Sequence, residues 1–210
     1  MPPDLRERFV AAREAAKQPA SRYGPLETAT AGQLLLSDSR HTFGYSMGKP
    51  GTTVEKIAKG MKIPVRPVSN YSVNSLVSLA IKLDDKQNLQ CLDDALIQAR
   101  YEQEHMVDMN DDWARGNVLA VNARYRLPPI QRCLMLEPGA RKEIERAMAE
   151  AADRLWAELQ KPGKTVAIMD MAWLLPKDGL LDRLKARGAV VSEPPQLAAA
   201  KADAADDEKD

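Results

Sequence analysis

The stretch from Val166 to Val191 constrains the fold more than any other. Val166-Ala167-Ile168-Met169 is a short apolar run, and Pro176-Lys177-Asp178-Gly179 is a tight connection. Leu180, Leu181 and Leu184 mark one face of a helical turn, and Ala189-Val190-Val191 is a second apolar run. Apolar runs too short for a helix, bounded by turn residues, read as buried strands. Strand, helix and strand in succession call for a sheet with helices packed on it, so the expected class is α/β.

Most of the remaining chain reads as helix. Leu5, Phe9, Val10 and Ala12 share a face between about Pro3 and Lys17, and a second short helix is expected over Glu27–Leu36. Ser37–Thr52 carries Gly and Ser without period and reads as a loop, followed by a helix over Thr53–Lys59. A cap at Asn70/Ser72 predicts a helix to Leu83, and Leu89, Leu92, Leu96, Ala99 and Met106 mark a long one from Asn88 to Trp113. Ile144, Met148, Ala151, Leu155 and Leu159 give the plainest helix, Gly139–Gln160. A third strand is expected over Ile63–Val68, where Pro64 and Pro67 confine it to a sheet edge. The expectation is a helix-rich α/β domain over residues 1–192 around a small, incomplete sheet. Residues 193–210, rich in Ala, Asp and Lys, are expected to form a disordered tail.

With 30 basic and 30 acidic residues the net charge is zero, which gives no overall field toward nucleic acid or an anionic membrane. No apolar run approaches the roughly 20 residues that span a bilayer. Nothing after Met1-Pro2-Pro3-Asp4 has the pattern of a signal peptide. As written the chain is expected to be cytoplasmic, or exported or periplasmic if its true start lies upstream. Cys91 and Cys133 are read as two free, buried thiols, a bridge requiring export and proximity in space.

The order of short motifs resembles the TraB/GumN family, which includes the pheromone-shutdown and Tiki proteins. Pro2-Pro3-Asp4-Leu5 is similar to a family helix start. Pro50-Gly51 through Ile57-Ala58-Lys59, leading to Ile63-Pro64-Val65, is similar to a family helix and strand, and Trp113-Ala114-Arg115-Gly116-Asn117 to its Trp-x-x-Gly-Asp element. At the C-terminal end the family strand closes in Gly-x-x-His before an Asp-Gly turn. Aligned from Asp178-Gly179, the glycine falls on Asp170 and the histidine on Trp173. The family's Arg-Asn pair falls on Ala152 and Asp153. Its opening strand, with a first Gly-x-x-His, would precede Met1, so the chain is expected to be truncated there. The resemblance implies a TraB/GumN-like fold and, in active members, a divalent metal serving peptidase-like hydrolysis.

Metal-assisted hydrolysis needs about three ligands and an open position for water. His41 sits in the Ser37–Gly44 stretch with no carboxylate spaced to join it. Glu102-x-x-His105 has the one-turn spacing found in di-iron bundles, but no second copy exists, and Glu104, Asp108, Asp111 and Asp112 make a solvated acidic face the simpler reading. Glu102, His105 and Asp108 remain candidates for binding. No Gly-x-Ser-x-Gly elbow occurs, and Gly48-Lys49 lacks the spacing of a phosphate loop. Cys133 lies beside Arg132, which would favour a thiolate. Trp173 places an indole where the resemblance implies a metal-binding imidazole, and a lone Asp170 is a poor metal site. The expectation is therefore a non-catalytic, degenerate member without a cofactor, with a binding or scaffolding role. A homo-oligomer or protein partner would cover the exposed sheet edge. The alternative is a metal-dependent, peptidase-like hydrolase of the TraB/Tiki type whose first motif is missing from the chain.

Overall fold

The computed structural model describes residues 1–45, 50–70 and 82–192, with Pro195. The expected helix to Leu83 falls mostly, and the expected tail almost wholly, outside the described residues. The described elements are helical. They are α1 (Pro3–Ala15), a 3-10 turn (Ala20–Arg22), α2 (Thr28–Thr42), α3 (Pro50–Gly60), α4 (Asp85–Ala114), α5 (Val118–Arg124), α6 (Pro129–Leu134), α7 (Pro138–Leu159), α8 (Met171–Leu174) and α9 (Leu180–Lys185). No strand occurs among the described residues, so the expected α/β class is overturned, and with it the sheet edge a partner was to cover.

Local chemistry sets most boundaries. Proline opens α1, α6 and α7 within the first two helical positions, where its missing N–H loses no helical bond. Asp84 and Gln87 form a reciprocal capping box at the start of α4, satisfying two otherwise free amides. Asn117 and Glu137 accept amide hydrogen bonds at the starts of α5 and α7.

One core lies between α1, α2 and α4, where Leu5, Tyr23, Leu35, Leu92 and Leu96 are buried together. The α2–α4 contact is close at Gly32. A Cβ there would meet Leu92 Cα at 3.1 Å and Ala95 Cβ at 3.2 Å, tighter than side chains normally pack. α2 continues to Thr42, so the loop expected from Ser37 begins only after it, and His41 lies exposed on a helix. Cys91 of α4 and Cys133 of α6 form a buried disulfide with their Cα atoms 5.2 Å apart. The expected free thiols are thereby corrected, and Cys133 is no nucleophile. Spacing of 42 residues could not show that the two helices meet there.

The second core rests on α7. Ala151 and Ala152 pack with Leu180 and Leu184 of α9, and Val68, Met169 and Ala189 close on the same cluster beside Leu155 and Trp156. Val68, Met169 and Ala189 belong to the three expected strands. Each strand segment thus reaches the place a sheet would occupy, yet none pairs with another. At the first of these segments side chains of α7 take backbone carbonyls instead: Arg154 donates to Pro67 O at 2.9 Å and Arg146 to Asn70 O at 3.0 Å. Apolar content does not mean burial in these segments, for Val166 and Val190 are 82% and 96% exposed.

Candidate functional site

The positions that would carry Gly-x-x-His meet at the start of α8. Asp170 is its N-cap, and its Oδ1 accepts the Ala172 N–H at 2.8 Å. Gln131 Nε2 donates to the Ala172 carbonyl at 3.2 Å, so both amide groups of that residue are held. Trp173, partly buried, packs on Ala140, Ile144 and Met148 of α7 beside Leu134 and Met135. The following turn is tight. Asp178 takes a left-handed φ of 61°, and a Cβ on Gly179 would lie 2.5 Å from the Pro176 carbonyl oxygen. Arg183 Nε donates to the Asp178 carbonyl at 2.9 Å, closing the turn onto α9.

A residue the sequence did not single out faces this site. The Tyr125 hydroxyl is buried with no hydrogen-bond partner among the described residues. Burial, reinforced by the Asp170 charge, pushes it up to about 12. Nothing about Tyr125 in the sequence marks it, since it follows α5 by one residue and meets Asp170 only through the fold.

The donor set does not suit a divalent ion. Asp170 already accepts a backbone hydrogen bond, Trp173 offers no lone pair, and a protonated phenol is a weak ligand. Ala152 and Asp153, onto which the resemblance would place the Arg-Asn pair, lie on α7. Ala152 is buried under α9, while Asp153 pairs with Arg187 at the surface. Among the described residues no three His, Cys, Asp or Glu side chains converge.

Glu102, His105 and Asp108 lie on α4 but go separate ways. Glu102 is 4% exposed and points to α2, which corrects its assignment to a solvated acidic face. Arg40 Nε and Nη2 donate to its two oxygens at 2.7 and 2.5 Å, and Gln98 Nε2 donates to Oε1 at 3.0 Å. The same carboxylate raises the Arg40 guanidinium above its ordinary pKa despite partial burial. Gln103 Nε2 bonds Ser39 Oγ at 3.2 Å, and Tyr45 donates to the Glu102 carbonyl at 3.0 Å. His105 instead packs against the Tyr101 ring, centroids 4.5 Å apart and planes tilted by 56°, with the Arg126 guanidinium 4.7 Å from the centre of that ring. Asp108 is exposed. Spacing by three residues placed Glu102 and His105 near one face, but their side chains take different partners.

No helix among the described residues is long and apolar enough to cross a membrane. Comparison with curated proteins and with solved structures gives no match. The family model of the TraB/PrgY/gumN family matches residues 1–193, nearly the whole chain. With the ordered motifs from Pro2 to Val191, this shows that the chain belongs to the TraB/PrgY/gumN family.

Proposed function

We propose that this protein is a non-catalytic family member whose role is to bind or scaffold. One observation carries the reading: the indole of Trp173 is packed into the Ile144–Met148 face of α7, and Asp170 serves as a helix cap. A metal site needs several convergent lone pairs and room for water, and an aromatic ring at the position aligned with the family's histidine supplies neither. The buried Cys91–Cys133 bridge supports an oxidising, exported location, because thiols in reducing compartments stay reduced.

Metal analysis and hydrolysis assays test this. Purified protein loaded with zinc, manganese or cobalt and then dialysed should retain far less than one ion per chain, and should not cleave unstructured peptides. Stoichiometric metal that disappears in Asp170→Ala, or peptide cleavage lost in the same variant, would establish the hydrolase reading instead.

A further inference from the structure

The net charge of zero conceals a local asymmetry. On α3, Val54, Ile57 and Met61 follow one another at spacings of three and four residues, with Met61 just past the helix end, and all face solvent. Gly51, Glu55 and Ala58, at the complementary spacing, are the more sheltered residues. Ile57 is 56% and Met61 67% exposed, and Ile63 and Val65 continue the exposed row. A Cβ on Gly51 would lie 4.0 Å from Ile168 Cγ2, so the Val166–Ile168 segment, itself exposed, meets α3 on its more sheltered side.

Cations are interleaved with this apolar row in the sequence, and Lys59 pairs with Glu55. Lys56, Lys59, Lys62, Arg66, Lys161 and Lys164 lie within or next to these segments, against Glu55 and Glu158. Glu158 joins two of the segments, with its carboxylate 3.5 Å from Arg66 and 2.7 Å from Lys161. The rest of the chain must therefore carry the balancing negative charge.

We propose that this face docks on an anionic lipid bilayer surface. An apolar stripe flanked by lysine and arginine is the arrangement by which a helix settles in the plane of the headgroups, aliphatic side chains down and cations toward lipid phosphates. A second copy fits less well, because two-fold docking would set Lys56, Lys59 and Lys62 of the row against themselves. A peptide fits less well too. Residues lining a peptide groove are sheltered by its walls, whereas Ile57, Met61 and Ile63 stand half or more in solvent. Nucleic acid would call for aromatic stacking side chains, which these segments lack. The inference extends the binding role proposed above. It concerns a different face from Asp170, so the vesicle readout is separable from the metal test.

The experiment is co-sedimentation of the full chain with vesicles of phosphatidylcholine alone or with about one-third phosphatidylglycerol. Binding should be about tenfold stronger to the anionic vesicles and weaken in high salt. Lys59→Glu with Lys62→Glu should reduce it about tenfold, while Ile57→Ser with Met61→Ser should abolish most of it. These positions are exposed, so circular dichroism should show unchanged helicity. Equal affinity for both vesicles, no affinity for either, or unchanged binding by the charge-reversed variant would overturn the proposal. Capture of polyglutamate without vesicle binding would also overturn it, in favour of an acidic peptide.

Discussion

Arg40 and Glu102 clasp α2 to α4 through two parallel hydrogen bonds, from the guanidinium Nε and Nη2 to the two carboxylate oxygens. The pair is asymmetric: Glu102 is almost fully buried, while about a third of the Arg40 side chain reaches solvent. Removing the arginine strands a buried charge, whereas removing both partners strands none. Arg40→Ala should therefore lower stability by about 3 kcal/mol, and Arg40→Met with Glu102→Leu should restore most of that. Urea midpoints measure both. A single variant within about 0.5 kcal/mol of wild type would show that the pair contributes no more than an exposed one.

Tyr125 makes a prediction at alkaline pH. Its pKa is raised by burial first and by Asp170 second, so the folded state favours the neutral phenol. That contribution is whole below the ordinary value of 10, and is lost as pH rises toward about 12. Tyr125→Phe should flatten the loss of stability over that interval. Because the hydroxyl has no partner among the described residues, the substitution should also gain up to about 1 kcal/mol at neutral pH. Tyr23 is raised as well, by burial and by its hydrogen bond to Asp38, so the effect is read as a difference between wild type and variant. A steeper alkaline decline in the variant would contradict the assignment.

The Cys91–Cys133 bridge closes a loop across a separation of 42 residues and ties α6 to α4. Closing a loop of this size restricts the unfolded chain and should stabilise the fold by about 4 kcal/mol. Cys91→Ala with Cys133→Ala should lower the thermal midpoint, and reductant should lower the wild-type midpoint while leaving the variant unmoved. A wild-type midpoint indifferent to reductant, with both thiols free by alkylation, would mean the bridge does not form.

Long elements with an unbroken apolar stripe could be read directly. α4 and α7 lie close to where Leu92, Leu96, Ile144 and Met148 predict them, because several turns of periodicity outweigh local noise. Short runs could not be read the same way. Val166–Met169 and Ala189–Val191 have strand composition, but a strand exists only with a neighbour, and α7 takes up the backbone of the Pro67–Asn70 segment instead. The last turn and a half of α2 was hidden by Ser37, Ser39 and His41, which favour turns in isolation. Contacts of Ser39 and Arg40 with α4 override that preference, and the Arg40–Glu102 pair was invisible for the same reason. At the candidate site, Asp170 and Trp173 were legible by alignment to Asp178-Gly179, whereas Tyr125 arrives through tertiary structure alone.

Trp173, where the proposed alignment sets the family's histidine, offers the sharpest test of the non-catalytic reading. Placing an imidazole there by Trp173→His puts a polar ring against Ile144 and Met148 and leaves part of the indole volume empty. Loss of packing and burial of an unpaired ring nitrogen should together cost about 2 kcal/mol. Trp173→Phe keeps an apolar ring there and should lose less, about 1 kcal/mol. The histidine variant should still fail to hold zinc at one ion per chain, since Asp170 remains tied to the Ala172 amide and the side chain of Ala152 is methyl. Thermal midpoints rank the two variants, and atomic absorption reads the metal. If Trp173→His instead gained stability on adding zinc, a latent ligand set would surround position 173, and the non-catalytic reading would rest on the indole alone.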